Sequence, residues 1–248
     1  MLGYPLALLR LLVIILSMAV CIFLYLLSML ILQHTPYRAF RLRRLWLRFA
    51  LWVLNIKVQK IGGPIKDPAL YVCNHRSFTD PVILCRYVDA FVIAKAEVAS
   101  YPLINKGAEL TGVVWVKREN QGSRKKTRSR MVEILQEGFN VLVYPEGTVG
   151  QDKGTLPFRP GTFDEAAKYG FPVVPVACEY RSPKDLWVIP NLVLFYFKQF
   201  SKWKTECKLE FGDPIKSTSG EGLHQQAYVW INDKINEMQR SWSFAFPE

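Results

Sequence analysis

Residues 11–32 read LLVIILSMAVCIFLYLLSMLIL, 22 consecutive positions without a charge. At 1.5 Å per residue a helix of this length reaches about 33 Å, enough to cross the hydrocarbon core of a bilayer. The run is too long for the apolar part of a signal peptide, and no small-residue cleavage site follows it. Arg10 alone precedes it, whereas Arg38, Arg41, Arg43 and Arg44 follow. The positive-inside rule then predicts that everything C-terminal to the run lies on the cytoplasmic face of a membrane. Length and composition leave open whether the segment spans fully or dips in and returns.

Charge supports the same division. Residues 1–60 carry eight Lys and Arg and no Asp or Glu, while the rest of the chain carries 24 Lys and Arg against 21 Asp and Glu. A nucleic-acid binder would hold its basic surface on the folded domain, so that class is excluded. The cations lie instead beside the apolar run, where they suit anionic lipid headgroups. Over 37–54, Arg38, Arg41, Arg44 and Arg48 recur at helical spacing on one face, with Leu42, Leu45, Trp46, Phe49 and Val53 on another. That pattern predicts an interfacial amphipathic helix. Residues 1–55 thus form a hydrophobic helix plus a basic helix, and 56–248 form the main domain. The five cysteines match no metal-site spacing and are read as reduced, buried thiols.

In the main domain, short runs rich in β-formers fall at 69–73, 90–94, 113–116, 140–144, 173–178 and 206–211. Helix-like stretches fall near 79–87, 101–110, 122–137, 161–169 and 223–240. This alternation predicts an α/β fold, a mostly parallel central sheet flanked by helices. The aromatic segment 183–202 fits helix and strand equally.

Two clusters carry chemistry. Residues 74–81, NHRSFTDP, follow the strand at 69–73 directly. His75 then sits at a strand's carboxyl end and Asp80 at the start of the next helix, with Pro81 suited to its first turn. Asp80 can fix the imidazole tautomer and leave the other ring nitrogen to take a proton from a hydroxyl. Such a pair is common by chance, and its place outside a strand's carboxyl end gives it weight. Residues 144–148, YPEGT, follow the strand at 140–144 and reach the same sheet edge. Gly147 permits a turn closed to other residues. Glu146 is a carboxylate at the end of a buried strand, so it needs a partner, either a protein group or a substrate hydroxyl. Arg118, ending GVVWVKR, and Arg159, in FRPG, can offer positive charge to an anionic headgroup or to the phosphates of a thioester carrier.

These blocks, in this order, resemble the glycerolipid acyltransferase family typified by bacterial 1-acylglycerol-3-phosphate acyltransferase. His75 and Asp80 look like its N-H-x(4)-D block, and 112–118 like the block ending in an acceptor-binding arginine, here Arg118. Pro145, Glu146, Gly147 and Thr148 resemble its P-E-G-T block, and 173–176 its proline-centred strand. The resemblance covers roughly residues 55–215. It implies acyl transfer from acyl-CoA or acyl-acyl carrier protein to a lysolipid hydroxyl, with no metal, no cofactor and no acyl-enzyme. His75 would be the general base, oriented by Asp80. Glu146 and Gly147 would shape the acceptor site, with Arg118 on the headgroup. One position departs: the family's glycerol-phosphate members usually follow P-E-G-T with Arg, where this chain has Val149. Either Lys117, Arg118, Lys153 or Arg159 compensates, or the acceptor is a lyso-aminolipid such as lyso-ornithine lipid. A non-catalytic lipid-binding protein is the remaining class.

Overall fold

The computed structural model describes residues 3–242 apart from 97, 98, 100, 101, 118 and 119. Its centre is a seven-stranded sheet in the order β1-β7-β6-β2-β5-β3-β4. The strands are β1 (Ile56–Ile61), β2 (Leu70–Cys73), β3 (Ala90–Lys95), β4 (Val113–Val116), β5 (Asn140–Val143), β6 (Val173–Tyr180) and β7 (Thr205–Phe211). Every neighbouring pair is parallel except β6 and β7. The expected fold class holds, with one strand more than the sequence pattern indicated: β1, reading IKVQKI.

Side-chain alternation divides the core into two layers. On β2, Tyr71 and Cys73 face one layer, with Leu47 and Leu51 of helix α2 (Pro36–Val53) and Phe200 of α7 (Leu192–Phe200). Leu70 and Val72 face the other, with α5 (Gln121–Gln136), α6 (Gly161–Tyr169) and α8 (Gly220–Ser241). All four β2 residues are buried, as a strand covered on both faces requires.

The ambiguous segment 183–202 resolves into a short 3₁₀ turn, Pro183–Asp185, and α7. The Asn191 side chain caps α7 by accepting from the Leu194 amide at 3.0 Å. Because β7 runs antiparallel to β6, it starts at the edge where β6 ends. The connection therefore stays on that edge and lays α7 beside the end of β2. The helix expected near 79–87 is shorter, α3 at Asp80–Leu84.

Helix α1 (Gly3–Ser28) is long and apolar enough to cross a membrane. It packs lengthwise on the domain rather than standing clear of it. Arg10, almost fully buried, donates to the carbonyls of Phe200, Lys202 and Trp203, closing the C-terminal end of α7. Trp46 of α2 donates to Ser17, and Tyr25 bonds His34 in the turn between the helices. The chain thus returns as α2, capped by Thr35. The separate basic face expected on α2 is not kept. Arg38 bonds back to Ser28 and Gln33, Arg43 is buried against the Thr111 carbonyl, and Arg44 pairs with Asp89. Trp46 packs inward, and the outward surface mixes Arg41 and Arg48 with Leu45, Phe49 and Trp52.

Candidate active site

The site begins where β2 ends. The Asn74 amide donates to the Cys178 carbonyl and its oxygen accepts from the Cys178 amide, both at 2.8 Å. A side chain thus continues the β2–β6 ladder by one step and sets His75 beyond it. The following residues wrap around a carboxylate. Asp80 Oδ2 accepts from the amides of Arg76 at 2.6 Å and Ser77 at 2.8 Å, and from His75 Nδ1 at 2.6 Å. Asp80 is fully buried and meets donors at both oxygens, so His75 Nδ1 is the donor in this contact and Nε2 points away from Asp80. The His75 ring stacks on Tyr144, centroids 4.4 Å apart, and its side chain keeps 14% of its surface open to solvent. The imidazole is therefore partly accessible from outside.

Glu146, carried from the end of β5, closes the other side. Its Oε1 accepts from the His75 amide at 3.1 Å and the Thr155 hydroxyl at 2.6 Å. Its Oε2 is buried with no hydrogen-bond partner among the described residues. Of the two partners foreseen for this residue, the protein group is present: Oε1 is held by the His75 amide and the Thr155 hydroxyl. Burial raises the Glu146 carboxyl above the ordinary range, against the opposing pull of Thr155, the His75 amide and Arg76. Gly150 donates its amide to the His75 carbonyl at 2.7 Å, and a Cβ there would lie 3.1 Å from Oε2. Gly147 is left-handed (φ +73°), and a Cβ on it would strike the Arg159 guanidinium at 2.8 Å.

His75, Asp80, Glu146, Gly147 and Arg159 therefore converge on one sheet edge. Thr148 is exposed and enters none of the described side-chain hydrogen bonds. Arg118 lies outside the described residues. Sequence reasoning missed the residues that brace the loop. Arg76, beside His75, is buried; it pairs with Glu179 at 3.0 Å and donates to the carbonyls of Asp152 and Gly154. A lone acid in the apolar run of β6 was the one available signal for Glu179.

Thr155→Val should weaken this arrangement selectively. Without the hydroxyl, Glu146 moves further up and takes a proton at higher pH. We expect about a tenfold loss of kcat/KM, growing as pH falls, in a thiol-release assay across pH. A pH-independent loss would contradict this role of Thr155.

A His–Asp pair at a strand end, with a buried acid alongside, is thus the arrangement at this sheet edge. The acyltransferase family model matches residues 55–179, and the chain belongs to that family. It is 34% identical to the lyso-ornithine lipid O-acyltransferase of Pseudomonas aeruginosa over 147 residues, 59% of this chain and 56% of that one. It is 30% identical to the 1-acyl-sn-glycerol-3-phosphate acyltransferase of Neisseria gonorrhoeae, over 77% of this chain and 76% of the relative. The chain thus spans little more than half the length of the first relative. The fold is that of the 1-acyl-sn-glycerophosphate acyltransferase PlsC from Thermotoga maritima, with TM-score 0.67 at 21% identity, covering 96% of this chain and all of that one.

Proposed function

We propose that the protein transfers a fatty acyl group from acyl-CoA or acyl-acyl carrier protein to the hydroxyl of a lysolipid, with 1-acylglycerol-3-phosphate as the acceptor. The observation that carries this is the His75 imidazole, held through Nδ1 by buried Asp80 and partly open to solvent, with Glu146 on its other side. Nε2 takes the acceptor's hydroxyl proton as its oxygen attacks the thioester carbonyl. The C–S bond breaks, and the departing thiolate takes the proton back from His75. Glu146 Oε2 accepts from a second acceptor group, while Arg159, with Arg118, supplies positive charge to the headgroup. A thioester is activated enough for oriented base catalysis to carry the step.

The protein acts at the membrane, with its catalytic domain on the cytoplasmic face. Because α1 is held to the domain from Arg10 to Ser17 and turns back into α2, the pair fits a hairpin seated in one leaflet better than a free span. Leu45, Phe49 and Trp52 would enter the interface, with Arg41 and Arg48 on anionic headgroups.

A second acceptor is favoured by one residue. Val149 puts no guanidinium after P-E-G-T, which suits a lyso-aminolipid such as lyso-ornithine lipid. The test is thiol release from palmitoyl-CoA with lysophosphatidic acid or lyso-ornithine lipid as acceptor, with products weighed by mass spectrometry. Preference for lysophosphatidic acid is expected. Preference for the aminolipid would move the assignment to the second reading, and acylation of neither, with acyl-acyl carrier protein as well as palmitoyl-CoA, would remove both acceptors.

A further inference from the structure

Asp80 does not orient His75 unaided. On β6, two strand positions beyond Cys178, the Tyr180 hydroxyl donates to Asp80 Oδ1 at 2.7 Å, while Oδ2 is filled by His75, Arg76 and Ser77. Tyr180 is buried, as is the Thr79 hydroxyl 2.8 Å from its oxygen. Each hydroxyl has one proton to give. That of Tyr180 goes to Asp80, with the Thr79 oxygen packed against the phenol oxygen. The Thr79 hydroxyl donates to Ser77 Oγ at 3.1 Å. Gln199 of α7 adds its amide to the Thr79 oxygen from 3.5 Å. The Tyr180 proton points to Asp80.

We infer that Tyr180 is a positioning residue of the acyl-transfer reaction, fixing through Asp80 the plane of the carboxylate and hence the direction of His75 Nε2. This rests on the reading of His75 as the base. A carboxylate tied at only one oxygen can rotate about its Cβ–Cγ bond. Tied at both, it holds the imidazole to one line of approach. Burial and the neighbouring Asp80 charge push the Tyr180 hydroxyl well above the usual phenol range, so it keeps the proton this role requires. Tyr180 lies 105 positions from His75 in sequence and reaches the site only through the β2–β6 register.

Tyr180→Phe keeps the ring and removes the donor. Measured well below the melting midpoint of either protein, kcat should fall about tenfold with the KM for lysolipid unchanged, because the acceptor site is not touched. Thr79→Val is the second variant. Thr79 precedes α3 but makes no side-chain capping bond, so valine leaves the helix start intact while releasing Tyr180. A loss of about two- to threefold in kcat at constant KM is expected from it. A wild-type kcat in Tyr180→Phe overturns the inference, as does a loss carried by KM. Should Tyr180→Phe not fold, a wild-type kcat in Thr79→Val overturns it. His75→Ala, assayed alongside, separates the two levels: full turnover there removes the base itself, whereas an inactive His75→Ala with a fully active Tyr180→Phe removes only the role of Tyr180.

Discussion

Replacing His75 with alanine should reduce acyl transfer by roughly 10²–10⁴-fold in kcat, the range expected when a positioned general base is lost. The protein should remain folded. His75 binds its surroundings through its backbone, the amide to Glu146 and the carbonyl from Gly150, and alanine keeps both. Asp80 retains the amides of Arg76 and Ser77 and the Tyr180 hydroxyl, so no buried acceptor is stripped of all its donors. What is lost in packing is the partly exposed stack on Tyr144. Thiol release from acyl-CoA in detergent, beside a circular-dichroism melt, reads both quantities. Undiminished turnover in His75→Ala would remove the imidazole from the mechanism.

The residues that can be read from sequence are those whose chemistry is local. His75 and Asp80 are five positions apart across one strand-to-helix turn, and Glu146 and Gly147 follow a strand of uninterrupted apolar residues. Each could be assigned to the carboxyl edge of a parallel sheet before any contact was known. The braces behind them are long-range. Tyr180 and Glu179 reach the site because β6 pairs with β2, and a one-residue slip in that register would turn their side chains to opposite faces. Nothing local to β6 sets that register. Thr155 approaches Glu146 through a loop without periodicity. Strand β1 is hard to read from sequence because IKVQKI, mostly exposed at a sheet edge, breaks its alternation at Gln59–Lys60, and only Leu54 and the left-handed Asn55 separate it from α2. Segment 183–202 resisted assignment because its aromatic and β-branched residues favour a strand, while the apolar face of α7 is helical. Its Asn191 cap decides the matter once the fold places it. The α2 arginines show the limit of helical-wheel reasoning. Of the four arginines on the expected face, Arg44 is taken by Asp89 on another element and Arg38 bonds back to Ser28 of α1.

The largest stability effect is expected from Arg76→Leu. Arg76 and Glu179 are both fully buried and lie 3.0 Å apart. The variant leaves Glu179 with the Gln239 side chain and the Tyr180 amide, without the cation that opposes its burial. Breaking such a pair from one side costs about 3–5 kcal/mol, a fall of roughly 10 °C in the melting midpoint for a chain of this size. The effect should depend on pH, and its sign follows from Glu179. Burial already raises this carboxyl above its ordinary value in the folded protein, despite Arg76. Its contribution to stability is therefore present below the unfolded pKa and lost as pH rises through the folded one. Removing Arg76 raises the folded value further. The gap between variant and parent should then be widest at about pH 8 and narrow toward about pH 5, as Glu179 takes up a proton in the variant. Melts at the two pH values measure it, and a gap that is small or constant across them would mean that Arg76 acts only through the carbonyls of Asp152 and Gly154. Arg76→Leu combined with Glu179→Leu separates the two roles. Replacing both members of a buried pair with apolar residues is often close to neutral, so stability should largely return. Activity should not, because the loop that carries Thr155 to Glu146 still lacks its anchor.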